Sequence, residues 1–176
     1  MNMKRMVTLL LAAVMVSTAV VTLGTQQVAA AKTRYTIRTF PKRMRGTWYT
    51  YSGGRYYRVK ITAKKISGAA GTWHLHPKKV TATTNFRSRR HRNWIYGTTF
   101  KIDGEKWTWT YGWTQGAGAG DYYRGVAHRL DGKTYHTLQL ASGAEAWTDA
   151  YAYHSKRAAK KYANHFFGNE RLRDDF

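Results

Sequence analysis

The chain contains one long apolar run, and every later apolar stretch is short and alternates with polar residues. The run covers residues 6–23. From residue 46 onward, apolar and aromatic side chains recur at every second position, which is typical of strands that bury one face. The clearest alternation places four aromatic residues on one face, namely Trp107, Trp109, Tyr111 and Trp113.

This period of two predicts eight or nine strands separated by short turns. Asp103-Gly104 and Asp131-Gly132 each join two of them, because Asp-Gly accepts the positive φ angles of a tight hairpin turn. So many short strands favour an all-β fold, a single closed antiparallel barrel, with a two-sheet β-sandwich as the alternative. The predicted strands cover 46–51, 55–61, 71–76, 80–86, 93–102, 106–113, 122–130, 133–140 and 147–154.

The end of the chain changes to a helical period. Residues 155–167 place Ala159 and Phe166 on one face and basic residues on much of the other. Ser155 has the side chain of an N-cap. We therefore expect one amphipathic C-terminal helix that packs against the barrel.

The apolar run at the start has the features of a secretory signal peptide. Lys4 and Arg5 precede it, and small residues follow it as far as Ala31. We expect cleavage near Ala30 or Ala31, and a protein that is secreted, extracellular or associated with the cell wall. An uncleaved membrane anchor is the alternative, because a spanning helix needs roughly 20 apolar residues. The predicted organisation is a signal peptide over 1–31, a basic lead-in over 32–45, the barrel over 46–154, the helix over 155–167 and a tail over 168–176.

The charge of the chain is strongly one-sided, and it has no cysteine. There are 30 Lys and Arg residues against 9 Asp and Glu residues, and signal cleavage would leave a net charge of +19. Without disulfides, a secreted domain depends on its core for stability. A charge of this size attracts polyanions, which outside a cell include phosphate-rich wall polymers. The candidate polyanion-binding residues form two clusters: Arg87, Arg89, Arg90 and Arg92, and Lys156, Arg157, Lys160 and Lys161.

The aromatic residues provide a second candidate site. Aromatic side chains that line an open barrel would stack on a sugar ring or a flat apolar ligand. The alternative is a packed core, since aromatic stripes of period two usually are core and the opposite threonine face resembles a solvated side. The candidate lining residues are Trp48, Trp94, Trp107, Trp109, Tyr111 and Trp113.

A metal site has only weak support in the sequence. His74 and His76 share one strand face, and zinc would need a third ligand. His128, His136 and His154 are the candidates for that ligand. We interpret the pair as exposed histidines and predict neither a metal nor a cofactor.

Catalytic signatures are largely missing from the sequence. A glycosidase needs two carboxylates on either side of a sugar, and Glu145 with Asp149, joined by Asp121, is the plausible set. The chain has no Gly-x-Ser-x-Gly motif and no cysteine nucleophile. We therefore predict no catalytic residues.

Two family resemblances add to this picture. Residues 41–49 and the basic, aromatic strands after them resemble small, largely uncharacterised secreted proteins of lactic-acid bacteria, which implies no established activity. Gly46-Thr47-Trp48 resembles the Gly-x-Trp of the first lipocalin strand, and Asp121-Tyr122 is similar to that family's second motif. The lipocalin resemblance implies a barrel whose Trp48 closes the bottom beneath a basic residue, here Arg157.

These features favour a secreted, basic, non-enzymatic domain that associates with anionic cell-wall polymers by charge. The alternatives are a lipocalin-like carrier of a small apolar or sugar ligand, and a wall-acting hydrolase. No nucleic-acid-binding motif is present, so we expect other extracellular polyanions, but no specific nucleic-acid sequence, among its partners. We expect a monomer, with no transmembrane partner implied.

Overall fold

Nine strands and one short α-helix are present in the computed structural model, which describes residues 36–77 and 89–173. The described residues belong to one compact unit, Ala31–Phe176. The predicted signal peptide, the predicted strand over 80–86 and Arg87 lie outside the described residues. The strands are β1 Gly46–Ser52, β2 Arg55–Ile61, β3 Lys65–Gly68, β4 Gly71–Leu75, β5 Trp94–Ile102, β6 Glu105–Gly112, β7 Asp121–Leu130, β8 Lys133–Ser142 and β9 Trp147–Tyr153, and the helix is α1 Lys156–Lys161.

The strands form one sheet that closes on itself in sequence order. Each strand pairs with the next, and β9 returns to β1 through the pair Tyr49–Tyr153. This ring-like sheet confirms the closed all-β fold over the two-sheet alternative. The expectation that all pairs are antiparallel is wrong at β4 and β5, which run parallel with His74 opposite Trp94. The two strands point the same way, so they do not form a hairpin.

Both predicted Asp-Gly hairpins are present. Asp103 and Gly104 have φ angles of 51° and 79°, and Asp131 and Gly132 have φ angles of 47° and 74°. These left-handed values are the ones that a tight two-residue hairpin turn requires. Strand β3 (Lys65–Gly68) was not predicted, because its four residues are too few for an alternation to show.

Side chains that point into the ring form the main core. Seven strands contribute to it, together with Phe40 and Met44 from the segment before β1. The Phe40 side chain is wholly buried, and its backbone N–H donates to the Ala63 carbonyl at 2.9 Å. Burial of one phenylalanine stabilises a fold by about 2 kcal/mol, so this segment is part of the barrel. The segment with Phe40 and Met44 covers one end of the barrel, which we call the closed end. The strand residues of the core are Trp48, Ile61, Ile66, Leu75, Ile95, Leu138 and Ala152.

The aromatic row of β6 lies on the outer face of the barrel. Thr110, which alternates with the row, lines the interior, and both Thr108 and Thr110 are buried. The expectation that the threonine face is solvated is therefore wrong. The row is nonetheless partly buried, because neighbouring side chains on the outer face of the sheet pack against it. For example, Trp107 packs edge-on against Tyr122 and lies under the Arg124 guanidinium.

The C-terminal helix is present but is shorter than predicted. It ends at Lys161, because Tyr162 leaves the helical conformation and its hydroxyl donates to Asp131 at 2.7 Å. Ser155 is the N-cap, as predicted, and its Oγ accepts the N–H of Ala158 at 3.2 Å. Within the described ranges, no helix has the length and apolarity needed to cross a membrane.

The segment after the helix is tied to the outer face of the barrel. The Arg171 guanidinium binds the Asp103 carboxylate through two hydrogen bonds of 2.8 and 2.9 Å. The Tyr151 hydroxyl donates to Glu170 at 2.7 Å, and the Thr148 N–H donates to the Arg171 carbonyl at 2.7 Å. The predicted tail is therefore held against the barrel through Arg171 and Glu170.

Candidate functional site

Most basic side chains of the described ranges have no carboxylate partner. Three are in ion pairs: Arg124 with Glu105 at 2.7 Å, Arg171 with Asp103 at 2.8 Å, and Lys161 with Asp131. The remaining lysines and arginines of these ranges carry charge that no acidic side chain offsets. This imbalance gives the surface an attraction for anions that acts in addition to any single contact.

A cleft at the closed end collects several of these charges. It measures about 480 Å³, and we call it the basic cleft. The short 3₁₀ helix Lys42–Met44 contributes to its lining and lies against β7 at Gly125. A Cβ on Gly125 would lie 2.6 Å from the Arg43 carbonyl oxygen, so the close approach requires glycine. The charged and titratable residues that line the cleft are Lys42, Arg43, Arg45, His136 and His154.

The local contacts hold two of these side chains in place. The Arg45 Nε donates to the Phe40 carbonyl at 2.8 Å, and its Nη2 lies 3.2 Å from Thr39 Oγ1. The His154 Nδ1 lies 3.0 Å from the Thr47 carbonyl, which accepts its proton and leaves Nε2 unused by this contact. No carboxylate lines the basic cleft. Guanidinium, ammonium and imidazole groups in one concavity suit phosphate or carboxylate oxygens.

The predicted cluster around residue 90 is built on an aromatic stack. The His91 ring lies on the Trp94 ring with centroids 3.7 Å apart, and His76 stacks on the same indole at 4.4 Å. The predicted loop includes a short 3₁₀ helix, Arg89–His91. The three arginines beside His91 are exposed; they are Arg89, Arg90 and Arg92.

The predicted cluster on the helix lies over tyrosines of β1 and β2. The Lys156 Nζ lies 5.3 Å from the Tyr56 ring centroid, and the Lys160 Nζ lies 5.6 Å from the Tyr51 ring centroid. These cation–π contacts orient the lysines without neutralising them. Arg157 is exposed, and Lys161 is the one member of the cluster that pairs with a carboxylate. Neither predicted cluster lines the basic cleft.

A second concavity opens at the other end of the barrel. It measures about 470 Å³, and we call it the barrel cavity. Its wall is mainly apolar and is shared with the core, and turns at this end form its rim. The apolar wall residues shared with the core are Val59, Ile66, Trp73, Ile95, Tyr123 and Leu140.

Two carboxylates lie in the barrel cavity. Asp121 begins β7 and Asp149 lies on β9, where Asp149 accepts a hydrogen bond of 3.0 Å from Ser142 Oγ. Burial raises the pKa of Asp121, and the negative charge of Asp149 raises it further. Burial likewise raises the pKa of the Tyr123 hydroxyl, to which the charge of Asp121 adds. No lysine, arginine or histidine lines the barrel cavity.

The aromatic residues predicted to line a cavity lie elsewhere. Trp48 is packed in the core near the closed end, and Trp94 lies in the histidine stack. The β6 row faces outward, where the Trp109 Nε1 donates to the Ala119 carbonyl at 2.5 Å. The prediction that these six residues form a lining is therefore wrong, because the alternation of β6 places its threonines inside. Trp73 is the tryptophan that lines the barrel cavity, and its strand was predicted although its role was not.

The candidate metal-binding histidines do not form a site, whereas two of the three predicted carboxylates share a cavity. Among the described residues, no three histidine, aspartate or glutamate side chains come together as a metal site. His128 stacks on a C-terminal phenylalanine, while His136 lines the basic cleft and His154 stacks on a tryptophan. Of the predicted carboxylate set, Asp121 and Asp149 share the barrel cavity, and Glu145 is an exposed turn residue outside it.

The residue that stacks on Trp48 differs from the one implied by the lipocalin resemblance. His154 fills that position, with ring centroids 3.7 Å apart, and the Trp48 Nε1 donates to the Met44 carbonyl at 2.7 Å. The expectation for Arg157 is wrong, since Arg157 lies on α1 and is exposed. Comparisons of the whole chain with protein families, curated proteins and solved structures find no match.

Proposed function

We propose that this protein is a secreted, non-enzymatic domain that associates with anionic, phosphate-rich polymers of the cell wall. The basic cleft carries the proposal. It gathers Lys42, Arg43 and Arg45 in one concavity with two histidines and no carboxylate. Like charges repel one another, so an anion bound among these side chains would relieve their repulsion.

The rest of the surface favours a polymer over a single small anion. Exposed arginines around residue 90 and exposed lysines of α1 lie outside the cleft. A chain of phosphates can contact several such sites at once and release several counterions, which is the main source of affinity for polyanions. A small anion would use the cleft alone. The excess of unpaired basic residues therefore fits a long, repeating partner.

The extracellular location rests on the N-terminal leader pattern of Lys4, Arg5 and the apolar run. Outside the cell, phosphate-rich wall polymers present a high density of negative charge close to the site of export. A disulfide-free barrel held there by charge would need no covalent anchor.

Charge reversal at the cleft tests the proposal. The variant Lys42→Glu/Arg43→Glu is compared with Lys101→Glu/Lys106→Glu, which makes the same charge change on paired, exposed residues of β5 and β6. Binding to poly(glycerol phosphate) is measured by calorimetry in low salt. The cleft variant should bind about tenfold more weakly than the control variant, since each lost phosphate contact removes its own contribution. Absence of binding by the unmodified protein would refute the proposal.

A further inference from the structure

The two ends of the barrel have opposite chemistry. The basic cleft at the closed end has no carboxylate, and the barrel cavity at the open end has two carboxylates and no basic residue. The chain has only 9 acidic residues among 176, so two of them facing one cavity is a marked concentration. A concavity of about 470 Å³ is within the range of small-molecule sites.

The carboxylates of the cavity lack a cationic partner in the protein. Asp103, Glu105 and Asp131 each pair with a lysine or arginine, whereas Asp121 and Asp149 are in no ion pair among the described residues. Basic side chains are abundant in this chain but do not line the cavity. The Ser142 hydroxyl holds Asp149 in position, yet it supplies no charge. Both carboxylates are exposed to solvent and no basic side chain of the described residues pairs with them, so they are open to a cation from solution.

The surroundings of the carboxylates define the kind of cation. A bare calcium ion takes six to eight oxygen ligands, and magnesium prefers to keep its water shell. The barrel cavity instead offers two carboxylates next to apolar and aromatic walls, including Val59, Leu140 and the indole of Trp73. Such a wall desolvates an apolar body, and the face of an indole attracts an ammonium group.

We propose that the barrel cavity binds a small organic ammonium ion with an apolar or aromatic body. Its N–H groups donate to Asp121 and Asp149. Its body packs against the apolar wall that the cavity shares with the core. This inference is independent of the proposed polymer binding, because it uses the other end of the barrel and a ligand of opposite charge. The positive surface disfavours non-specific binding of such a cation, so measured binding would report on the cavity.

Tryptamine, protonated at neutral pH, and tryptophol, its neutral hydroxyl analogue, are a matched pair of probes. Calorimetry with the purified protein should show that tryptamine binds about tenfold or more tightly than tryptophol, because hydrogen bonds to charged groups are the stronger ones. Nuclear Overhauser contacts from the indole protons to the methyl groups of Val59, Ile66 and Leu140 should place it in the cavity. Equal affinity for the two probes, or no binding of tryptamine, would overturn the proposal.

Isosteric variants supply the second test. Asp121→Asn/Asp149→Asn should lose the preference for tryptamine while keeping the cavity shape, and thermal unfolding shows whether that variant is folded. Glu145→Gln is the control, because Glu145 lies in the exposed turn between β8 and β9 and does not line the cavity. It should leave both affinities unchanged. If the double variant binds tryptamine as tightly as the unmodified protein, or if Glu145→Gln weakens binding equally, the assignment of the carboxylates is wrong.

Discussion

The imidazole of His154 lies nearly flat against the indole of Trp48, with ring centroids 3.7 Å apart and an angle of 25° between the planes. His154 directly follows the last strand, and Trp48 belongs to the first. Between these strands the backbone contributes the single residue pair Tyr49–Tyr153. The stack therefore reinforces the seam at which the sheet closes.

Loss of this stack should destabilise the barrel measurably. His154→Ala should lower the free energy of unfolding by about 1 kcal/mol, because it removes a stacked ring pair and the contact with Thr47. Arg157→Ala is the control and should change stability by less than about 0.5 kcal/mol, since that side chain is exposed on α1. Urea unfolding monitored by tryptophan fluorescence checks both variants. A larger effect of Arg157→Ala than of His154→Ala would contradict this account of the closed end.

The 3₁₀ helix Lys42–Met44, which lines the basic cleft, is in close backbone contact with β7. A methyl group at Gly125 would lie 2.6 Å from the Arg43 carbonyl oxygen, which is backbone and cannot rotate away. Gly125→Ala should therefore cost about 1–3 kcal/mol of stability. Gly116→Ala is the matched control, because nothing lies within 4 Å of the added carbon. Equal unfolding midpoints for the two variants would show that the 3₁₀ helix does not press on β7.

The C-terminal segment should make stability depend on acid pH through Glu170. Burial by itself raises the pKa of Glu170, but the N–H groups of Phe167 and Gly168 and the Tyr151 hydroxyl lower it below its ordinary 4.5. A depressed carboxyl pKa stabilises the fold above the unfolded value, and that contribution is lost as the pH falls through the folded value.

Glu170→Gln should thus be less stable than the unmodified protein by about 1 kcal/mol at pH 7, after allowance for solvent screening. The gap should shrink as the pH falls below 4.5 and through the lower pKa of folded Glu170, because the carboxyl then becomes neutral like the amide. Urea unfolding at pH 7, 5 and 3 measures it, with Glu145→Gln as the control for the same chemical change in an exposed turn. A gap that persists unchanged at pH 3 would rule out the carboxylate as its source.

Asp121 should show the opposite sign. Its pKa is raised by burial and by Asp149, so ionisation of Asp121 is less favourable in the folded protein than in the unfolded chain. The stability of the unmodified protein relative to Asp121→Asn is then greatest below the ordinary value of 3.8 and declines as the pH rises. At pH 7, Asp121→Asn should be the more stable by a few tenths of a kcal/mol, because solvent screens part of the repulsion. If urea unfolding at pH 7 showed Asp121→Asn to be less stable than the unmodified protein, repulsion between Asp121 and Asp149 would be contradicted.

Local signals in the sequence account for most of the fold. The turn residues Asp103 and Asp131 adopt the left-handed angles that their Asp-Gly pairs predict, and Ser155 caps the helix as expected. The end of α1 was not predictable, because it depends on Tyr162 reaching the distant turn residue Asp131. The parallel pairing of β4 with β5 is likewise non-local and leaves no periodic pattern in either strand.

The orientation of β6 shows the limit of reading burial from hydrophobicity. Trp107 and Thr108 are both buried, at 6% and 2% exposure, so neither face of the strand is solvated. The aromatic face is larger and more apolar, yet it is covered from outside by neighbouring rings. The threonines face the narrow interior. Period-two patterns identify a strand but cannot say which face is inside when both faces are covered.

The chemistry of the candidate sites was easier to predict from the sequence than their positions in the fold. The net charge predicted polyanion binding. Lys42 and Arg43 line a cleft because the segment before β1 packs against β7 at Gly125, which the sequence did not predict. The plausible carboxylate pair was Glu145 with Asp149, joined by Asp121. The pairing of β7 through β8 to β9 brings Asp121 and Asp149, 28 residues apart, into one cavity and leaves Glu145 outside it. Proximity of residues on β7 and β9 depends on the register of both with β8, which cannot be read from the sequence.

The salt dependence of polymer binding tests the central claim most directly. The affinity of the purified protein for poly(glycerol phosphate) is measured by calorimetry from 50 mM to 200 mM salt, with neutral dextran as the control polymer. If about four phosphate contacts hold the complex, affinity should fall by about 100-fold over that range, and dextran should not bind. Affinity that stays constant across the same range, or equal binding to dextran, would contradict association by charge.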